Sequence, residues 1–213
     1  MAHTIAREQR FTADAAHELR TPLAATRLQL ELAQSSQRPE TREKALTHAT
    51  SAIDRATHVV SQLLQLARLE HGETIGHQPI DLVALCTDAL LEARLPVDGV
   101  HLRIEGQPQL FGHPLLWGLI LRNLIDNAQR YGGKGTEVFM LITNDALTVH
   151  DNGKGMPTAQ FARLGERFYR PVGQTASGAG LGWSIITRIA MLHHVHVEPF
   201  AVKPHGFGIK FTF

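Results

Sequence analysis

Three separated groups of residues in this chain have types and spacings that chemistry can use. The first is His17-Glu18-Leu19-Arg20-Thr21-Pro22. A neutral imidazole offers one nucleophilic nitrogen, and near neutral pH a good fraction of histidine is neutral. The adjacent carboxylate of Glu18 is placed to orient the ring and accept the proton of its other nitrogen. On a helix, the Thr21 hydroxyl lies one turn along from His17 on the same face. The second group is residues 123–131, where Asn123 and Asn127 stand four apart and Arg130-Tyr131 follow. A carboxamide oxygen is a cation ligand that adds no negative charge. The third is a pair of glycine clusters, Asp151-Asn152-Gly153-Lys154-Gly155 and Gly178-Ala179-Gly180-Leu181-Gly182. Glycines let backbone approach a ligand closely, and a helix N-terminus after the second cluster can hold anionic oxygens.

Each group alone has an ordinary reading. A His-Glu pair is commonly a solvated helix face, an asparagine a cap or surface position, and glycine clusters turns. Their joint order, across a change of periodicity at residue 72, is what the ordinary reading leaves unexplained.

Two halves must position these groups. From residue 5 to about 34 the chain has no Gly, and Phe11, Ala15, Leu19 and Leu23 share one face. Ser35-Ser36-Gln37-Arg38-Pro39 breaks the pattern, with Pro39 suited to the first turn of a second helix. There Ala45, Ala49, Ala52, Ala56, Val59, Leu63 and Leu66 alternate at spacings of four and three, an unbroken heptad seam. A second row, Leu46, Ile53, Val60 and Ala67, runs beside it. Stripes this wide imply burial on more than one side, which a lone hairpin does not provide and a four-helix bundle of two hairpins does. The expected state is a homodimer through residues 5–70. Pro22 removes one helical hydrogen bond and is expected to bend the first helix beside His17.

After His71-Gly72 the chain takes turn composition, so residues 1–72 are expected as the hairpin domain, 73–80 as a linker and 81–213 as a second domain. Helices are expected at 81–94 with Asp81 as N-cap, at 113–130 and at 181–192. Strands are expected at 100–104, 137–142, 147–150, 195–200 and 207–213. Strands and helices without regular βαβ alternation indicate an α+β sandwich.

Composition narrows the classes. Lys plus Arg is 21 and Asp plus Glu 20, so charge directs the chain neither to nucleic acid nor to an anionic membrane. The longest near-apolar run, residues 115–121, is far short of the roughly 20 residues that span a bilayer, and no secretory signal opens the chain. The single Cys86 excludes an internal disulfide and reads as a buried core thiol.

At residues 17–22 (H-box), 123–131 (N-box), 151–155 (G1), Phe168-Tyr169-Arg170 (F-box) and 178–182 (G2), the chain resembles the sensor histidine kinases of two-component systems. All five boxes occur in family order over essentially the whole chain. Residues 11–20 and 165–171 look closer still to the quorum-sensing sensor kinases of that family. The resemblance implies a dimeric helical-hairpin domain followed by an ATP-binding α/β sandwich of the histidine-kinase/GHKL type. It implies ATP and Mg²⁺, autophosphorylation of His17 assisted by Glu18, and transfer to an aspartate of a partner response regulator. Glu18 and Thr21 resemble the Glu-x-x-Thr pattern linked to phosphatase activity toward that regulator.

In the nucleotide domain the resemblance implies Asn127 as Mg²⁺ ligand with Asn123 on the same face, Arg130 for phosphate and Tyr131 for the base. Asp151 would accept from the adenine amine. Gly153, Gly155, Phe168, Arg170, Gly178, Gly180, Leu181 and Gly182 would line or close the site, with the segment between the glycine clusters as a lid. The intact protein would be anchored in a bacterial inner membrane by segments absent from this chain, with this portion in the cytoplasm.

Three positions depart from the family pattern. Lys154 stands where Pro is common, Trp183 where Leu follows, and His193-His194-Val195-His196 replaces a glycine-richer stretch. Those histidines are read as ordinary surface or core residues and not as a metal set. Two other readings remain: an ATPase of the gyrase–Hsp90–MutL type, against which the H-box stands, and a non-catalytic dimeric scaffold.

Overall fold

A computed structural model of the 213-residue chain describes residues 2–70, 78–93, 99–166, 168–169 and 180–213, with side chains from residue 13 to 69 in the first stretch. The Phe11 side chain, residues 71–77 of the expected hinge, Arg170 and Gly178 lie outside what is described.

Two long antiparallel helices form the first half: α1 (Ala2–Ser35) and α2 (Pro39–Glu70). The break falls where Ser36 Oγ accepts from the Arg38 N–H, and Pro39 opens α2. Helix α1 runs unbroken through Pro22, and Thr26 Oγ1 donates to the Pro22 carbonyl at 2.9 Å. The seam is buried as its spacing requires: Ala45, Ala49, Ala52, Val59 and Leu66 are all inside. Its alanines let the two backbones approach closely. The second row is not covered by this chain, since Leu46, Ile53 and Val60 remain 47%, 49% and 41% exposed.

The second half is a sheet with helices on one face. Its elements are β1 (Gln78–Ile80), α3 (Leu82–Glu92), β2 (Val100–Ile104), β3 (Leu110–Gly112), α4 (Pro114–Gly132), β4 (Val138–Ile142) and β5 (Ala146–Asp151). A 3₁₀ helix (Thr158–Arg163), α5 (Gly182–Leu192), β6 (His196–Ala201) and β7 (Phe207–Thr212) follow. The five-stranded sheet has the order β2-β4-β5-β7-β6, antiparallel except for the β2–β4 pair. Asp81 caps α3, its Oδ1 accepting from the Ala84 N–H at 2.9 Å. The short β1–β3 ribbon was not expected, and it pins the start of this half against the residue before α4.

Alternate residues of β4 and β5 face inward, so Val138, Met140, Ile142, Leu147 and Val149 meet Ile120, Leu121 and Ile125 of α4 and Ile185, Ile186 and Ile189 of α5. Trp117 is wholly buried and meets Phe211, Phe213 and His193 edge-on at centroid distances of 5.6, 5.8 and 5.9 Å. Cys86 is buried, and burial pushes its thiol up to about 12, so it is an inert core thiol. The same hydrophobic cluster extends through Val59, Leu66 and Leu69 of α2. No helix among the described residues is long and apolar enough to cross a membrane.

Trp117→Ala removes the largest core side chain and three ring contacts. It should cost about 3–5 kcal/mol of unfolding free energy, measured by urea denaturation; a loss under about 1 kcal/mol would mean that the cluster is loosely packed there.

Candidate functional site

Helix α4 carries the central side chains because its apolar face repeats at 117, 120, 121, 124, 125 and 128, which leaves Asn123 and Asn127 along the edge toward α5. Asn123 is 7% exposed, and both polar atoms of its carboxamide are engaged. Its Nδ2 donates to the Leu119 carbonyl at 2.9 Å and its Oδ1 accepts from Gln62 Nε2 of α2 at 3.4 Å. Asn127, one turn on, is half-exposed and its carboxamide makes no hydrogen bond among the described residues. Gly182, the first residue of α5, lies against both: a Cβ there would stand 3.2 Å from Asn123 Oδ1 and 3.7 Å from Asn127 Oδ1. A side chain at the last glycine of the second cluster would crowd Asn123 where the α5 N-terminus abuts the two carboxamides.

Asp151 ends β5 and is 9% exposed. Its Oδ1 accepts from the Gly153 N–H at 2.8 Å. Burial raises its carboxyl pKa above the ordinary value, opposed by the Gly153 and Phe207 backbone N–H groups and by His150. The turn after it is clamped to β4: Glu137 N–H donates to Asn152 Oδ1 at 2.8 Å, and Asn152 Nδ2 donates back to Glu137 Oε2 at 2.7 Å. His205 Nδ1 donates to the Asn152 carbonyl at 2.8 Å, which fixes its Nδ1–H tautomer. Gly155 has φ +68°, where side chains are strained, and a Cβ on it would meet the Gly206 carbonyl.

These elements line one open cleft. Asn123, Asn127, Arg130 and Tyr131 line it from α4, Asp151 and Gly155 from the first glycine cluster, and Gly180 and Gly182 from the second. Three expected residues do not line it. Leu181 is fully buried beneath the α5 N-terminus, and Gly153 is buried in the turn. Phe168, at φ +61°, packs on the core, while Tyr169 lines the cleft and carries the Arg163 guanidinium over its ring at 4.3 Å. Trp183 is accommodated, half-buried, as part of the wall, and Lys154 is exposed.

His17, Glu18 and Thr21 sit outside the cleft on α1, with His17 exposed. Thr21 Oγ1 donates to the His17 carbonyl at 3.3 Å, so the hydroxyl is tied to its own helix. In the histidine-rich stretch, His193 Nε2 accepts from the His113 N–H at 3.0 Å and Nδ1 donates to the Ile189 carbonyl at 2.7 Å, a structural tie. Among the described residues no group of three potential metal-ligating side chains occurs.

Sequence reasoning missed the contribution of α2. His58 and Gln62, one helical turn apart, line the same cleft as Asn127 and Asp151. Burial, then Arg130, lowers the His58 pKa, with Asp126 acting in the opposite direction. At the C-terminal end of α2 the Arg188 guanidinium of α5 donates to the Leu69 carbonyl at 3.2 Å. The signal in the sequence was a polar 58/62 pair beside the apolar seam, which reads equally well as a solvated face.

Residues 7–72 match the family described as "His Kinase A (phospho-acceptor) domain", and residues 112–213 match "Histidine kinase-, DNA gyrase B-, and HSP90-like ATPase". The chain is 43% identical to Sensor protein QseC of Escherichia coli (strain K12) over 217 residues, which is 96% of this chain and 47% of that protein. It is 35% identical to Sensor protein kinase PmrB of Pseudomonas aeruginosa over 196 residues, 87% of this chain and 41% of that protein. The chain spans about half the length of the curated relatives it matches. The fold is that of the Acinetobacter baumannii histidine kinase AdeS, with TM-score 0.69 and 21% identity over 92% of this chain and 97% of that one. It is also that of full-length ShkA, with TM-score 0.63 and 23% identity over 96% of this chain and 45% of that one. A phosphoacceptor domain and an ATPase domain follow one another here in the order of the five motifs, and the chain belongs to the sensor histidine kinase family.

Proposed function

We propose that this chain binds MgATP in the α4–α5 cleft, transfers the γ-phosphoryl group to His17, and passes it to an aspartate of a response regulator. The observation that carries the reading is the meeting of Asn127, Asp151 and Gly182 around one cleft in a chain that also has a phosphoacceptor hairpin. The complex with AMPPNP named for ShkA is in keeping with it. We divide the chain into a hairpin domain, residues 1–72, a linker, 73–80, whose last three residues form β1 against β3, and a nucleotide domain, 81–213. The portion would be the cytoplasmic part of an inner-membrane protein.

The residues present suit this ligand. The Asn127 carboxamide, without a partner among the described residues, offers Mg²⁺ an oxygen and leaves water ligands in place. Magnesium would supply charge neutralisation across the phosphates. The Asp151 carboxylate, held by the Gly153 and Phe207 backbone N–H groups, retains lone pairs that can accept from the adenine amine. Arg130 and the α5 N-terminal amides supply positive potential toward phosphate oxygens. Gly180, at φ +66°, packs on the backbone of Phe168 and Tyr169, beside the part of the cleft wall that Tyr169 forms.

His17 Nε2 or Nδ1 would attack the γ-phosphorus, the bond to the ADP oxygen breaking as the nitrogen–phosphorus bond forms, and Glu18 would receive the ring proton. Thr21 Oγ1, donating to its helix, retains lone pairs that can accept from a water, and phosphatase activity toward the regulator is proposed on that basis. The exposed Leu46, Ile53 and Val60 row would be covered by the second hairpin of a homodimer.

His17→Gln should abolish phosphoryl incorporation from radiolabelled MgATP while leaving nucleotide affinity nearly unchanged, because His17 is outside the cleft. Label in wild type should resist alkali and be lost in acid; retained labelling in the variant would move the acceptor elsewhere.

Asp151→Asn separates binding from stability. Burial raises the folded pKa of Asp151 above 3.8, so its ionisation destabilises the fold as pH rises through the raised value. The variant keeps an acceptor for Gly153 but presents an amide N–H₂ to the adenine amine. MgATP binding should weaken at least about tenfold, or ~1.4 kcal/mol, with thermal stability at pH 7 equal to or above wild type. Full affinity in titration calorimetry would remove Asp151 from base recognition.

Ile53→Glu with Val60→Glu should convert a dimer at micromolar concentration into a monomer by sedimentation equilibrium, with helicity retained. Leu63 and Leu66 are poorer probes, because Leu66 is buried within the chain and Leu63 packs on the same cluster. A wild-type monomer under these conditions would refute the bundle.

A further inference from the structure

We infer that His58, on the hairpin helix α2, is a phosphate-contacting residue of the nucleotide cleft, so that the bound nucleotide bridges both domains. This rests on the MgATP reading above. The register of the two helices places it. Gln62 Nε2 donates to Asn123 Oδ1 across the interface. One turn back along α2 and one turn on along α4 bring His58 to the level of Asn127, and His58 lines the same cleft. Its electrostatic partners are Arg130 and Asp126, on either side of Asn127. This is the part of the cleft where Gly182 and the α5 N-terminus abut the carboxamides.

The hairpin geometry gives the position a second meaning. At 1.5 Å rise per residue, His17 lies about 27 Å from the Ser35 end of α1 and His58 about 28 Å from the Pro39 end of α2. The two histidines therefore stand at one height on the bundle. Leu19, two residues from His17, packs on the cluster that joins α2 to the nucleotide domain. Docking through His58 and Gln62 thus brings the phosphate end of the cleft to the level of the phosphoacceptor. An imidazole N–H donates to a phosphate oxygen in either protonation state, so the contact does not depend on titration. His58 would be a positioning residue for transfer, since it binds the triphosphate and leaves the covalent step to His17.

The test compares MgATP with adenosine by calorimetric or competition titration on the whole chain. His58→Ala should weaken MgATP binding about tenfold, the loss expected for a hydrogen bond to a charged group, and leave adenosine binding unchanged. His58→Gln, which keeps an N–H donor, should recover most of the affinity, and His58→Phe should not. Equal losses for MgATP and adenosine would show a purely structural role and overturn the inference, as would unchanged MgATP affinity in His58→Ala. If wild type bound no MgATP, both this inference and the kinase reading would fall. If wild type labelled His17 and His58→Ala bound MgATP normally, this inference alone would fall.

Discussion

The docking of α2 onto α4 and α5 is the constraint on which the remaining arrangement depends. One hydrophobic cluster runs without interruption from Val59, Leu66 and Leu69 of the hairpin into the core around Trp117, Leu124 and Ile186. Burial of that apolar surface is non-directional and would tolerate sliding of one helix over another. Direction comes from two polar contacts set in it. The Gln62–Asn123 bond is buried, so losing its geometry would leave amide groups unsatisfied in an apolar setting. The Arg188 guanidinium at the Leu69 carbonyl meets a helix C-terminus, where the partial negative charge favours a cation. Together they set the register that puts one face of α2 along the cleft.

Asn123 shows how a motif residue can serve structure and site at once. Both polar atoms of its side chain are engaged, one with its own helix and one with α2. Asn127, one turn later, has neither partner and is open to the cleft. Two identical side chains on the same helix edge therefore differ, the first tying α4 to α2 and the second open to the cleft. Asp151 carries a similar tension, since burial favours its neutral form while the Gly153 and Phe207 amides favour the charged one. The Asn152–Glu137 clamp holds the turn in place through hydrogen bonds that do not involve the Asp151 carboxylate.

Much of the architecture was legible because it is written in local periodicity. The heptad seam of α2, the break at residues 36–38, the Asp81 cap and the alternating β4 and β5 all follow from residues within a few positions of one another. The elements that were not anticipated are short. The strands β1 and β3 are three residues each, too brief to show a period, and exist because they pair with each other across the chain. The 3₁₀ helix lies within the stretch expected as a lid, and Phe161 in it meets Phe207 at 5.7 Å, a contact between residues far apart in sequence. Helix α1 continues through Pro22 as one helix.

By itself the sequence determined which polar side chains and glycines stand together and on which elements. His17 beside Glu18, two asparagines at helical spacing, and glycines flanking Asp151 and preceding α5 are statements about neighbours, and neighbour relations survive without coordinates. Tertiary structure alone decided which of these groups face one cleft and what else faces it. Phe168 turned to the core and Tyr169 to the cleft because the backbone there takes a positive φ that no composition announces. His58, Gln62 and Arg188 became part of the arrangement only through contacts that span 61 to 119 residues of chain. A polar pair on a helix has the same pattern whether it meets water or a second domain, and only packing distinguishes the two.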